Sequence, residues 1–137
     1  FHVRAYNGVL WGETAHFTVK IDKTNPSDPT DLFAIASGKT ITLNWKESSD
    51  ELSGVKHYAI FRGKTADNMS SHVEVSGKTF VDNVSDLGTY YYKLKAMDNA
   101  GNESGFTTNA TANVTETSIQ NANINICPTI GFPLNSI

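Results

Sequence analysis

Apolar and polar residues alternate through most of the central part of this chain, which is the period of a half-buried β-strand. The clearest case is Ile41, Leu43 and Trp45, which alternate with polar residues. Similar short segments, separated by turn residues, predict seven strands, at 32–36, 41–45, 55–62, near 73–75, at 79–82, at 90–96 and at 108–114. Helical spacing does not occur in these segments. The pattern therefore predicts an all-β domain of about seven antiparallel strands packed as a sandwich.

The first residues carry a second strand pattern. Residues 1–5 and 16–21 alternate, and Phe17 lies on the apolar face of the second segment. The pair Asn7-Gly8 between them is typical of a hairpin turn. Because two strands alone are marginally stable in water, we expect this hairpin to pack against another element.

Composition changes on both sides of the main domain, which the pattern places at 30–115. Residues 22–29 contain two prolines, which disfavour helix and predict a short extended linker. The tail, 116–137, contains a strict alternation at 121–126 that predicts an extra strand. Two interpretations of the tail stay open: its strand covers the incomplete hairpin, within one chain or between copies, or it leads into a following domain.

The two ends of the chain are related by an internal repeat. Residues 1–20 align without gaps on residues 92–111, which pairs Phe1 with Tyr92 and Ala5 with Ala96. This shift of 91 residues (92 − 1) matches the length of one sandwich domain. The hairpin at 1–21 is therefore predicted to be the last two strands of a preceding copy.

Several motifs carry a family resemblance. They are Trp45 in the second strand of the main domain, the Tyr58 strand that ends in Phe-Arg-Gly, Leu87 followed by Tyr90, and the loop DNAGNES at 98–104. With these features, residues 30–115 resemble a fibronectin type III domain, of the tandem kind found in microbial secreted and surface proteins. The resemblance implies an immunoglobulin-like sandwich with a tyrosine corner, in which the Tyr90 hydroxyl bonds to backbone near Leu87. The implied structural core comprises Trp45, Tyr58, Leu87, Tyr90 and Tyr92.

Charge and composition exclude several classes of protein. The chain has 11 basic and 14 acidic residues, a net charge of −3, which argues against nucleic-acid binding. It has no apolar run of about 18 residues, so we expect no membrane span in this chain. Its single cysteine, Cys127, has no partner for an internal disulfide.

Residues suited to catalysis or metal binding are scattered. The four histidines, His2, His16, His57 and His72, show no close spacing. The acidic loops at 48–51 and 98–103 contain oxygen ligands suited to calcium but lack the dense pattern of a dedicated site. Nucleophile motifs and phosphate-binding glycine loops are also missing. We therefore predict no catalytic, cofactor or metal site, and a protein that is not an enzyme.

Two kinds of surface feature remain. Five Asn-x-Ser/Thr sequences are candidate N-glycosylation sites: Asn68, Asn83, Asn102, Asn109 and Asn113. Trp11, in the hairpin turn, is a candidate binding aromatic for a sugar or a partner protein. The favoured alternative is that Trp11 packs into an interface with the main domain.

The resemblance implies a non-catalytic extracellular or cell-surface module, with a structural, spacer or adhesion role in a multidomain surface or secreted protein. Its expected partners are neighbouring domains or copies of the same protein, and a carbohydrate or a cell-surface protein. Two alternatives stay open. One is a self-assembling filament or layer subunit completed by strand exchange, and the other is an accessory carbohydrate-binding module of a secreted hydrolase.

Overall fold

The computed structural model describes residues 2–16 and 18–116, which form strands and loops only. The strands are β1 His2–Val3, β2 Ala15–His16, β3 Thr30–Ser37, β4 Thr40–Lys46, β5 Val55–Gly63, β6 Met69–Val75, β7 Thr79–Asn83, β8 Gly88–Asp98 and β9 Ala110–Val114. The prediction of an all-β chain is confirmed. In these residues there is no helix long and apolar enough to cross a membrane.

Strands β3 to β9 form two antiparallel sheets. One sheet has the order β3-β4-β7 and the other has the order β6-β5-β8-β9. β3 also contacts β9 of the opposite sheet, which closes one side of the sandwich. The seven predicted strands of the main domain are therefore all present.

The core lies between the two sheets, and the alternation in the sequence places residues there. Along β4, Ile41, Leu43 and Trp45 are buried, whereas the residues between them are partly exposed. On β8 the same alternation buries Tyr92 and Leu94 completely. Since each buried Leu or Ile stabilises the fold by about 1.5 to 3 kcal/mol, these two strands carry much of the domain's hydrophobic stabilisation.

A buried ionic group also joins the two sheets. Asp82 of β7 is 4% exposed, and both its carboxylate oxygens accept hydrogen bonds from Arg62 of β5, at 2.9 and 3.0 Å. The Tyr92 hydroxyl donates to the same carboxylate at 2.8 Å. Burial and this hydrogen bond raise the pKa of Tyr92 above its usual value, so its phenol stays protonated and acts as a donor. Asp82 thus accepts hydrogen bonds from two residues of the opposite sheet.

The opening hairpin is shorter than predicted. β1 and β2 pair antiparallel over two residues each, and residues 18–21, which were predicted to continue the second strand, lie outside it. All described residues up to Ile21 are exposed. Among the described residues, β1 and β2 pair only with each other, and two strands without further support are marginally stable in water. The predicted strand at 16–21 is therefore wrong over residues 18–21.

The geometry of the hairpin follows the internal repeat. An isolated bridge joins Tyr6 to Trp11, and in the second copy an isolated bridge joins Met97 to Glu103. Under the 91-residue shift Tyr6 corresponds to Met97, and the second bridge is one residue wider than the first. The two copies therefore share a similar turn. The predicted strand at 121–126, its pairing with the hairpin, and Cys127 lie outside the described residues.

Candidate functional site

Three segments meet at one end of the sandwich and form what we call the linker pole: the linker 22–29, the loop 47–54 before β5, and the segment 98–105 at the end of β8. Ser27 donates its backbone N–H to the carbonyl of Ser49 at 2.9 Å. The Ser49 N–H donates in return to the Ser27 hydroxyl at 2.8 Å. The linker therefore pairs with the loop before β5.

The linker is also held by the segment after β8. The Gly105 N–H donates to a carboxylate oxygen of Asp28 at 2.6 Å. A Cβ at Gly105 would lie 2.8 and 2.9 Å from the Asp28 carboxylate oxygens, so only glycine allows this approach. Pro26 and Pro29 are buried. A connector that looks independent in the sequence is therefore a fixed part of the domain end.

Two aspartates organise the two loops of the linker pole. Asp50 Oδ1 accepts the backbone N–H groups of Ser53 at 2.7 Å and Gly54 at 2.8 Å. Asp98 accepts from Asn102 twice, from its backbone N–H at 2.8 Å and from its side-chain amide at 2.7 Å. Short polar side chains that bond to backbone a few residues on are typical of tight turns. Each loop is therefore folded around a carboxylate.

A third aspartate comes from the linker. Asp22 Oδ1 accepts the backbone N–H of Thr24 at 2.9 Å and its hydroxyl at 2.6 Å. The Asn102 side-chain amide lies 3.5 Å from the backbone carbonyl of Asp22 and donates to it. The other oxygen, Asp22 Oδ2, is buried and accepts no hydrogen bond from the described residues.

These three aspartates converge. One oxygen from each of Asp22, Asp50 and Asp98 lies within 4.8 Å of the other two. Asp98 is 0% exposed, while Asp22 and Asp50 are half-buried. Hydrogen bonds from Thr24 lower the pKa of Asp22. Burial by itself would raise the pKa of Asp98, but hydrogen bonds, those from Asn102 first, lower it overall. The linker pole therefore concentrates ionised carboxylates.

A groove of about 470 Å³ opens beside this cluster. Two exposed apolar side chains flank it, Ile21 at 73% and Leu52 at 65% exposure. Its lining consists of Lys20, Ile21, Asp22, Glu51, Leu52, Ser53, Asn99 and Ala100. The groove lies between the residues that enter the linker, 20–22, and the two loops of the main domain.

The sequence identified part of this cluster. It singled out the acidic loops at 48–51 and 98–103 as separate features. The fold brings Asp50 and Asp98 together and adds Asp22, which sequence reasoning missed. The signal that could have found Asp22 is its position directly before Lys-Thr-Asn-Pro, where a short linker has to run over the adjacent loops.

The predicted core residues fall into two groups. Trp45, Tyr58, Tyr90 and Tyr92 are between 0% and 5% exposed. Trp45 and Tyr58 pack edge to face, with ring centroids 5.4 Å apart, and the Ser48 N–H donates to the Tyr58 hydroxyl at 2.9 Å. These four aromatic residues lie between the sheets.

The prediction that Leu87 belongs to the core is wrong, because Leu87 is 43% exposed. It lies in the turn before β8, next to Gly88, whose φ of 114° is in the left-handed region. The Tyr90 hydroxyl donates to the backbone carbonyl of Asp86 at 2.8 Å, one residue before Leu87. The tyrosine corner is therefore built by Tyr90 and backbone alone.

Trp11 lies within the hairpin. Its ring centroid is 4.7 Å from that of Tyr6, and Trp11 is 59% exposed. The structure thus places it against Tyr6 and largely in solvent, rather than in the interface with the main domain that we favoured. Binding by Trp11 stays a prediction.

The candidate glycosylation asparagines differ in accessibility. Asn68, Asn83, Asn109 and Asn113 are exposed. Asn102 is partly buried, and its side-chain amide donates to Asp98 at 2.7 Å. A glycan on Asn102 would remove one of the two N–H groups with which this amide donates to Asp98 and to the Asp22 carbonyl, so Asn102 is the least suitable of the five.

The histidines, which looked scattered, lie near other groups. The rings of His2 and His16 are 4.6 Å apart across the hairpin. His57 Nε2 lies 3.6 Å from a Glu74 carboxylate oxygen, and His72 Nε2 lies 3.5 Å from Asp82. Among the His, Cys, Asp and Glu side chains of the described residues, the ligand atoms of three converge only in the aspartate cluster.

No family model and no curated protein matches this sequence. Solved structures do resemble it. A Fn3-like protein from Clostridium thermocellum is 22% identical, with a TM-score of 0.54 over 68% of this chain and 97% of that one. The sixth fibronectin type III domain of a human protein is 16% identical, with a TM-score of 0.58 over 71% of this chain and 92% of that one.

A third match is part of a larger protein. A β-1,2-glucanase from Parabacteroides distasonis is 22% identical, with a TM-score of 0.60 over 69% of this chain but only 13% of the glucanase. The two-sheet topology, the buried aromatic residues of both sheets and the tyrosine corner agree with these likenesses. The chain has the fibronectin type III fold.

Proposed function

We propose that this chain is a non-catalytic structural spacer module of an extracellular or cell-surface multidomain protein. Domains of this fold do occur as modules in multidomain proteins, among them the Parabacteroides glucanase and a titin fragment of three domains. The proposed role is mechanical: a rigid sandwich holds its neighbours at a fixed distance and orientation.

The docked linker is the observation that carries this proposal. A spacer has to transmit position from one domain to the next, and a free linker would allow each domain to move independently. Here the linker 22–29 contacts both adjacent loops and buries two prolines. The similar turns of the hairpin and of β8 to β9 further support a tandem arrangement.

Linker rigidity can be measured by ¹⁵N relaxation. We expect the backbone amides of residues 22–25, 27 and 28 to show heteronuclear NOE values equal to those of the sandwich strands. In Gly105→Ala the added Cβ would displace Asp28, so the NOE values of the linker should fall. Gly77→Ala is the matched control, because its Cβ would meet nothing within 4 Å. Low NOE values in the unmodified linker would contradict the spacer mechanism.

A self-assembling subunit is the second candidate, and one observation favours it. The outer face of the three-stranded sheet exposes Phe33, Ile35 and Val81, at 49%, 58% and 51%. Ile35 and Val81 lie on either side of Thr42 across the sheet, so these apolar side chains share one exposed face. A self-assembling subunit would show a molar mass that increases with protein concentration.

An accessory carbohydrate-binding module remains an alternative. It rests on the exposed Trp11, which stacks on Tyr6, and on the occurrence of this fold inside a glucanase. The spacer proposal expects no carbohydrate binding by this chain.

A further inference from the structure

The geometry of the aspartate cluster fits a bound cation. Calcium binds oxygen ligands at about 2.4 Å, so two ligands of one ion lie at most about 4.8 Å apart. The three carboxylate oxygens, from Asp22, Asp50 and Asp98, lie within 4.8 Å of one another. They come from three separate segments of chain, so the fold itself creates the cluster.

A second, independent observation points to a missing ligand. Asp22 Oδ2 has less than 1 Å² of accessible surface and accepts no hydrogen bond from the described residues. An ionised oxygen that is removed from water without a partner is destabilised. A cation beside the Asp50 and Asp98 carboxylates would supply that partner and would also offset the repulsion among the three groups.

The ligand types favour calcium over other metals. The cluster offers carboxylate oxygens, with no thiolate or imidazole among its members, which suits hard cations rather than zinc. Magnesium requires near-ideal octahedral geometry at about 2.0 to 2.1 Å, whereas calcium accepts six to eight oxygens in flexible arrangements. The adjoining groove of about 470 Å³ has room for the waters that would complete the coordination.

We propose that the linker pole binds one calcium ion through Asp22, Asp50 and Asp98, and that this ion fastens the linker to the two loops. The proposal goes beyond the spacer role, because it assigns a ligand and a dependence on calcium to the junction. Asp22 is the decisive member, since it is the one ligand that the linker contributes.

Calorimetry on the 137-residue chain tests the proposal. The protein is treated with EDTA, dialysed into calcium-free buffer and titrated with CaCl₂. We expect one calcium per chain, and at least about tenfold weaker binding in Asp22→Asn and in Asp50→Asn, because each removes one charged ligand. Asp67→Asn is the matched control, since Asp67 is an exposed aspartate outside the cluster, and its affinity should not change.

Thermal unfolding provides a second measurement. Calcium should raise the melting temperature of the unmodified chain and of Asp67→Asn, and should raise that of the two cluster variants much less. Both asparagine variants keep the Oδ1 acceptor of the loop hydrogen bonds, so near-UV circular dichroism should show them folded. Magnesium should bind more weakly than calcium.

Three results would overturn the proposal: no binding of calcium, binding unchanged in both cluster variants, or magnesium binding as tight as calcium binding. The relaxation experiment for the spacer is run with CaCl₂ present and again in calcium-free buffer. A rigid linker in a chain that binds no calcium would reject the calcium site alone. A linker that stays mobile although calcium binds would reject the spacer mechanism and the fastening by calcium, but not the binding itself.

Discussion

At the residue scale, Asp82 shows how one carboxylate stabilises contact between the sheets. It lies on β7 and accepts hydrogen bonds from Arg62 and Tyr92 of the other sheet. The Arg62 side chain is 32% exposed, which moderates its desolvation, whereas Tyr92 is fully buried. Removing Asp82 would therefore leave a buried phenol without an acceptor and a half-buried guanidinium without a counter-ion.

We expect Asp82→Ala to lower the free energy of unfolding by about 2 to 4 kcal/mol, measured by urea denaturation. Asp67→Ala, at an exposed position, should change it by less than about 0.5 kcal/mol. A similar small effect of both substitutions would mean that the Asp82 group does not couple the sheets.

Single residues also show the limits of sequence reasoning. Trp45 and Tyr90 belong to strands with strict alternation, and that alternation determines which face each residue occupies. Leu87 lies in a turn beside Gly88, which has a positive φ, so the alternation of the strands does not apply to it. Its burial could therefore not be predicted from its apolar character.

At the scale of elements, the strands of the main domain were predictable because most of them repeat a two-residue period over several residues. The length of the hairpin was not, because alternation at 18–21 does not by itself supply a strand for those residues to pair with. The docking of the linker was also not predictable. It depends on contacts such as that of Asp28 with Gly105, which are 77 residues apart in the sequence.

The linker pole should be the acid-sensitive element in calcium-free buffer. The pKa values of Asp22 and Asp98 are lowered in the folded state. The folded chain therefore binds protons on these two carboxylates less tightly than the unfolded chain does. Their contribution to stability is therefore present above the ordinary value of 3.8 and is lost as the pH falls through the lowered values.

Urea unfolding between pH 7 and pH 2 measures this dependence. We expect the free energy of unfolding to fall below about pH 4, and to fall less steeply in Asp98→Asn than in Asp67→Asn. Equal slopes in the two variants would show that Asp98 does not contribute to acid sensitivity.

At the scale of the whole molecule, the fibronectin type III fold and the docked linker fit a module in a series, with a fixed junction at the linker pole. The fold could be predicted because alternating residues in many segments indicate the same two-sheet sandwich. The linker pole brings together three aspartates from three segments, and the sequence marks two of their loops as acidic without showing that they meet. The exposed strip of Phe33, Ile35 and Val81 is the feature that a self-assembling subunit would use instead.

The molar mass of the 137-residue chain in solution, measured by light scattering over a wide range of concentrations, tests the spacer account most directly. The account predicts a monomer of 14.9 kDa at every concentration, because a spacer meets its neighbours through covalent linkers rather than through association. Growth into dimers or polymers as concentration rises would contradict it and would favour a subunit that neighbouring copies complete.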